Sequence, residues 1–133
     1  MRIDLIALLV VTVYKDPSCH CCAQWIERMK TAGFTVQAVD VANPGALQTI
    51  KRDHGITPQL GSCHTAVVDG YVIEGHVPPE DVKKLLHDHP KGITGLAVPG
   101  MPNGAPGMES PGAADHYDVL ALSASGTSVY DHR

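Results

Sequence analysis

Apolar and polar positions along this chain fall into runs whose period changes in a regular order. Residues 5–14 (LIALLVVTVY) are continuously apolar and β-branched, which predicts a central strand buried on both faces. Asp16, Pro17 and Ser18 read as a turn, with Ser18 placed to cap a helix over about residues 19–32. Trp25, Ile26 and Met29 form that helix's inward stripe, and Gly33 stands where a left-handed residue closes it. Phe34 to Val41 alternates as a second strand, and β-α-β at this spacing predicts a right-handed parallel crossover. Asn43 followed by Pro44 opens a second helix with Leu47 and Ile50 inward and Gly55 at its end. After a loop from Thr57-Pro58 to Ser62, residues 63–69 and 71–76 predict an antiparallel hairpin turning at Gly70. Pro78-Pro79-Glu80 begins a third helix that turns Val82, Leu85 and Leu86 inward and stops at Pro90.

The order β-α-β-α-β-β-α is that of a thioredoxin-like domain, so the expected fold class is α/β and thioredoxin-like over residues 5–90. Composition then changes. Residues 90–112 hold five prolines and six glycines, which argues against a helix or a regular strand there. Leu96, Val98, Met101 and Met108 make the segment more apolar than a plain linker. The extension, residues 91–133, is therefore expected to wrap back over the domain as part of a single-domain protein. Within it, residues 117–123 and 127–130 are expected to pair as a short hairpin around Ser125-Gly126.

A length of 133 residues suits one core, and a monomer is expected. The net charge of −4, with scattered signs and no basic patch, argues against nucleic acid as a partner. The apolar N-terminal run is too short to cross a membrane, so no membrane insertion is expected. It also departs from a signal peptide: Asp4 interrupts the basic start and no small-x-small site follows. On residues alone both periplasm and cytoplasm stay open.

The chemistry concentrates in Lys15–Cys22, where Cys19, Cys21 and Cys22 crowd three of the chain's four cysteines into four residues at an expected helix start. The positive end of a helix favours thiolate over thiol. At helical pitch Cys19 and Cys22 lie about 60° apart, and Cys21 about 100° from Cys22. Those directions diverge too far for one tetrahedral ion to take all three comfortably. Sulfurs bridging several soft ions fit better, and softness argues for Cu(I) ahead of zinc or an iron–sulfur centre. Two alternatives stay open, a metal-free redox disulfide between Cys19 and Cys22 and inert structural cysteines. Cys63 opens the third strand, which should lie beside the first, so its sulfur is expected to join the other three; the alternative is a lone buried thiol. His64 should face the opposite way by strand alternation and serve packing or support a ligand from behind rather than ligate, and His20 should be exposed. Met101 and Met108 are lower-ranked thioether ligands, with His76 and His116 weaker still.

Three separated stretches carry a resemblance. They are Val13-Tyr14-Lys15 leading into the CxCC of Cys19, Cys21 and Cys22, then Ser62-Cys63-His64 through Val77-Pro78, and then Gly95-Leu96-Ala97-Val98-Pro99-Gly100-Met101-Pro102 with Gly104 to Glu109. Over roughly residues 10–122 the chain resembles the CopG-type copper-resistance proteins (domain of unknown function 411), which are distinct from the DNA-binding repressor of the same name. The resemblance implies a thioredoxin-like domain with a C-terminal extension that contributes to metal binding. It also implies a cysteine-bridged, multinuclear copper cluster on Cys19, Cys21, Cys22 and Cys63, and a periplasmic role in copper tolerance that includes interconversion of Cu(I) and Cu(II). The expected function is thus copper binding for resistance and homeostasis, with copper oxidoreductase activity an open question. A thiol–disulfide oxidoreductase using Cys19 and Cys22 is the alternative. A third reading is a metallochaperone docking on a copper-efflux partner.

Overall fold

The structure, a computed structural model, describes residues 5–133; the reading of Asp4 lies outside them. Leu5–Leu8 form a single 3-10 turn, and the first strand, β1, runs only from Val10 to Lys15. This corrects the expected strand over 5–14. β1 pairs with β2 (Thr35–Asp40) in parallel from Val10↔Thr35 to Lys15↔Asp40, so the ladder between them begins at Val10. Nor is β1 buried on both faces. Val11, Val13 and Lys15 face the interior, whereas Val10 is exposed.

Helix α1 (His20–Thr31) connects β1 to β2 and buries Cys22, Trp25, Ile26 and Met29. Helix α2 (Pro44–Asp53) is capped by the Asn43 side chain, which accepts from Ala46 N–H at 2.9 Å. β3 (Thr65–Val68) and β4 (Tyr71–Glu74) form the hairpin, turning through Asp69 and Gly70, both with positive φ (49° and 80°), the geometry of a tight primed turn. α3 (Pro79–Asp88) buries Val82, Leu85 and Leu86 and ends on left-handed His89.

The described residues form one seven-stranded sheet in the order β2-β1-β3-β4-β5-β6-β7. β1 and β3 are antiparallel, so the strand expected beside β1 is there. β5 (Ile93–Ala97) pairs parallel to β4, within the stretch whose Pro/Gly content argued against a regular strand. The prolines flank these five residues rather than interrupt them. Gly95 is itself required, because a Cβ there would overlap the Val72 carbonyl. β6 (Asp118–Ser123) and β7 (Gly126–His132) make the expected second hairpin and extend the sheet.

The core gathers Val11, Val13, Trp25, Met29, Ile73, Leu85 and Leu96, all fully buried. The Trp25 indole N–H donates to the Val77 carbonyl at 2.9 Å, which satisfies its one polar atom. A buried ion pair crosses from α2 to the hairpin. Lys51 and Glu74 meet with side-chain exposures of 5% and 0%. Glu74 also accepts from Ser62 N–H at 2.8 Å and Thr65 O–H at 2.6 Å, which anchors the loop that carries Cys63. No helix among the described residues is long and apolar enough to cross a membrane.

Candidate metal centre

The site begins at the junction of β1 and α1. Asp16 accepts from both N–H and O–H of Ser18 (2.8 and 2.6 Å), bonds that hold its carboxyl below the usual range. Ser18 is therefore used in the turn, and Cys19 is the N-cap in place of the expected Ser18. Its Sγ accepts from Cys22 N–H at 3.3 Å. Sulfur fills the role usually taken by a hydroxyl or carboxylate oxygen.

Cys19 and Cys22 are disulfide-bonded, while Cys21 and Cys63 are free and half-buried. Cys21 Sγ lies 3.5 Å from Cys19 Sγ and 3.5 Å from Cys63 Sγ, and all four sulfurs lie within 4.8 Å of one another. The alternative of Cys63 as an isolated buried thiol does not describe this arrangement. Burial, together with the hydrogen-bonded Cys21 beside it, pushes the Cys63 thiol up to about 12, so the metal-free site holds it protonated. A cation placed among the sulfurs reverses that balance, since coordination deprotonates a thiol outright. Four sulfur donors within reach of each other form a set that could hold a soft metal ion once the Cys19–Cys22 bond is reduced.

Two histidines that the sequence ranked low stand beside these sulfurs. His76 is fully buried, with Nε2 3.1 Å from Cys63 Sγ and Nδ1 2.7 Å from the Pro106 carbonyl. Nδ1–H donates to that carbonyl, which leaves the Nε2 lone pair facing the sulfur. His64 is also fully buried, with Nδ1 3.5 Å from Cys63 Sγ and its ring 4.6 Å from Trp25. Burial, the leading cause for both, lowers the pKa of His76 and takes that of His64 well below the ordinary value, so both rings are neutral near pH 7.

His64 thus does not face away from Cys63. The alternation reasoning failed because β3 starts at Thr65, and Cys63 and His64 precede it in the loop. Hairpin register held the usable signal. A turn at Asp69-Gly70 pairs Thr65 with Glu74, which brings His64 and His76 to the same end of the hairpin.

The extension closes one side. A Cβ on Gly107 (φ +87°) would lie 2.7 Å from Trp25 N and 3.2 Å from the Cys21 carbonyl, so only glycine lets the chain rest on the first turns of α1. Glu109 receives Gly107 N–H at 2.7 Å and pairs with Arg28 at 3.2 Å. Among the other ranked residues, Met101 is 51% exposed, and Met108 is half-buried and follows Gly107 at the rim. His116 is exposed and lines a different cavity with Asp118 and His132. His20 is exposed, as expected, against Gln24.

Fold and site together define a small α/β protein with a cysteine cluster able to hold metal. The family model described as "Protein of unknown function, DUF411" matches residues 60–108, the segment from Leu60 to Met108 that includes Cys63. Two solved structures are similar over nearly the whole chain. One, "Copper resistance protein copG- Form 2", is 40% identical with a TM-score of 0.86, covering 94% of this chain and 98% of that one. The other, "Copper resistance protein copG- Form 1", is 39% identical with a TM-score of 0.85, covering 93% and 96%. The chain belongs to the family of the copper resistance protein CopG. None of the curated proteins searched matches it.

Proposed function

We propose that this protein binds copper in the service of copper resistance, holding more than one Cu(I) ion on bridging thiolates of Cys19, Cys21, Cys22 and Cys63. The observation that carries the reading is the convergence of all four sulfurs within 4.8 Å, from two segments more than forty residues apart. Soft thiolates prefer Cu(I), and bridging lets neighbouring anionic sulfurs share cations rather than repel. Loading requires the Cys19–Cys22 bond to be reduced, which takes two electrons and yields two more thiolates. That requirement links copper capacity to thiol redox state: closure of the two thiolates to the disulfide would pass two electrons to two Cu(II), giving two Cu(I), and the reverse step would restore two thiolates and two Cu(II). We read β1 to β4 with α1 to α3 as a thioredoxin-like arrangement. We place the protein in the periplasm by analogy with copper resistance proteins.

Copper analysis of protein purified under reducing conditions tests this. More than one copper per chain is expected, falling to one or none in Cys21→Ser. A single copper indifferent to Cys21 would refute the bridged cluster.

The disulfide itself favours a second reading, a thiol–disulfide oxidoreductase with Cys19 as the more accessible sulfur and Cys22 buried behind it. Vigorous reduction of insulin disulfides by the metal-free protein, unchanged in Cys21→Ser and Cys63→Ser, would support that reading over the first. Met101→Leu and Met108→Leu test the thioethers more cleanly than truncation at residue 95, which would remove the buried Leu96, Val98 and Val119 from the core.

A further inference from the structure

We propose a separate metal site at the open end of the β6–β7 hairpin, where His116 and His132 supply imidazole nitrogens for one Cu(II) ion and Asp118 positions the His132 ring. It shares no residue with the cysteine cluster, and it goes beyond the thiolate reading above without depending on it.

The site follows from strand register. Tyr117 and Arg133 exchange both of their backbone hydrogen bonds, at 3.2 and 2.9 Å. The next pair along, Asp118↔His132, is therefore of the non-hydrogen-bonded kind, in which facing side chains come closest. Val119 is fully buried, so alternation puts Asp118 on the outer face, where both it and His132 are exposed. The bonds at Tyr117 carry the ladder one residue beyond β6, and His116, two residues before Asp118, reaches the same rim. His116, Tyr117, Asp118, His132 and Arg133 line a cavity of about 460 Å³ there.

The His132 ring is prepared for a ligand. Its Nδ1 lies 2.6 Å from Asp118 Oδ1, and because a carboxylate only accepts, the proton sits on Nδ1 and the Nε2 lone pair is left for an ion. A carboxylate behind an imidazole is the outer contact that orients metal-binding histidines. An exposed cross-strand pair on its own adds little to stability, and it gives no purpose to His116 on the same rim. Arg133 also borders the cavity, but Asp81, Asp131 and Glu80 meet its guanidinium at 3.0, 3.1 and 3.6 Å, so its charge is already offset. Imidazole nitrogen completed by water oxygen is a donor set that suits Cu(II), which such sites hold more tightly than the other divalent first-row ions. One sheet would then carry two sites of opposite preference, sulfur for the soft ion and imidazole for the harder one.

The test titrates the full chain in its disulfide form with Cu(II), after Cys21→Ser and Cys63→Ser have removed the thiols that would reduce the ion. Electron paramagnetic resonance should show one Cu(II) per chain with hyperfine structure from two nitrogens. Binding should weaken at least tenfold in His116→Gln and in His132→Gln, both exposed positions, and stay unchanged in His87→Gln, an exposed histidine elsewhere. Binding indifferent to His116 and His132, or weakened equally by His87→Gln, would overturn the site. Imidazole nitrogen NMR on the unsubstituted protein, with Zn(II) as probe, gives an independent check: the His116 and His132 signals must move together, and unmoved signals overturn the assignment. The same spectra, taken metal-free at about pH 8 where imidazole is neutral, should show His132 protonated at Nδ1. Asp118→Ala should mix its two tautomers and weaken Cu(II) binding at least tenfold; an unchanged tautomer with unchanged affinity would overturn the positioning role of Asp118.

Discussion

Gly107 offers the sharpest probe of how the extension is held against the site. Gly107→Ala introduces two penalties that can be separated by comparison with Gly112→Ala. Both glycines have positive φ (87° and 106°), so each alanine costs about 1–2 kcal/mol for a left-handed backbone. At Gly112 nothing lies within 4 Å of the new methyl. At Gly107 the methyl would meet Trp25 N at 2.7 Å, Trp25 Cα at 3.1 Å and the Cys21 carbonyl at 3.2 Å, all backbone atoms of α1. Restoring an ordinary contact of 3.4 Å requires the segment to retreat by roughly 0.7 Å from Trp25 N. That retreat loosens the His76–Pro106 bond, worth about 1 kcal/mol. It also loosens the exposed Arg28–Glu109 pair, which at such exposure adds little. With overpacking against α1 included, the difference between the variants should be about 2 kcal/mol. For a domain of this size that corresponds to a melting point about 6 °C lower for Gly107→Ala than for Gly112→Ala. Thermal unfolding followed by circular dichroism, with both variants metal-free and in the same thiol state, makes the comparison. Melting points within about 2 °C of each other would show that the extension is not seated on α1 in the way described.

Two further outcomes follow from the buried charges. Lys51→Met leaves the Glu74 carboxylate buried without its cation and should destabilise by about 3–5 kcal/mol in urea unfolding, with Lys51→Met/Glu74→Gln recovering most of the loss; an effect under about 1 kcal/mol would contradict the burial of the pair. Asp81, 3% exposed, is pushed up to about 6 from 3.8, first by burial and then by the hydrogen-bonded Asp131, against the opposing pull of Arg133. Between about pH 4 and pH 6 the folded chain therefore holds a proton that the unfolded chain has released, so this group's contribution falls as pH rises through that window. Subtracting the stability–pH profile of Asp81→Asn from that of the wild type should reveal this fall, and a flat difference would refute the raised carboxyl.

Much of the fold was legible because its local signals agreed with one another. The Trp25-Ile26-Met29 stripe, the Asn43-Pro44 helix start and the Asp69-Gly70 turn each name an element through chemistry confined to a few residues. What escaped depended on partners distant in sequence. The apolar run at 5–14 could not disclose that β2 ends its pairing opposite Val10. Composition averaged over 90–112 concealed the five residues of β5, whose neighbours β4 and β6 supply the missing justification. At the site, crowding of sulfur in the CxCC was readable, and so was the approach of Cys63, given its expected place beside β1. His64 and His76 were not, because their role depends on where β3 begins and on a carbonyl from Pro106 thirty residues away.

The packing of Trp25 against His64 makes the chain its own indicator. This is the protein's sole tryptophan, fully buried, with its ring 4.6 Å from an imidazole that itself lies 3.5 Å from a cysteine sulfur. Any ion that draws on that imidazole alters the electronic surroundings of the indole directly. Intrinsic fluorescence should therefore follow occupancy of the neighbouring donors in real time, without a dye, a tag or an added chromophore.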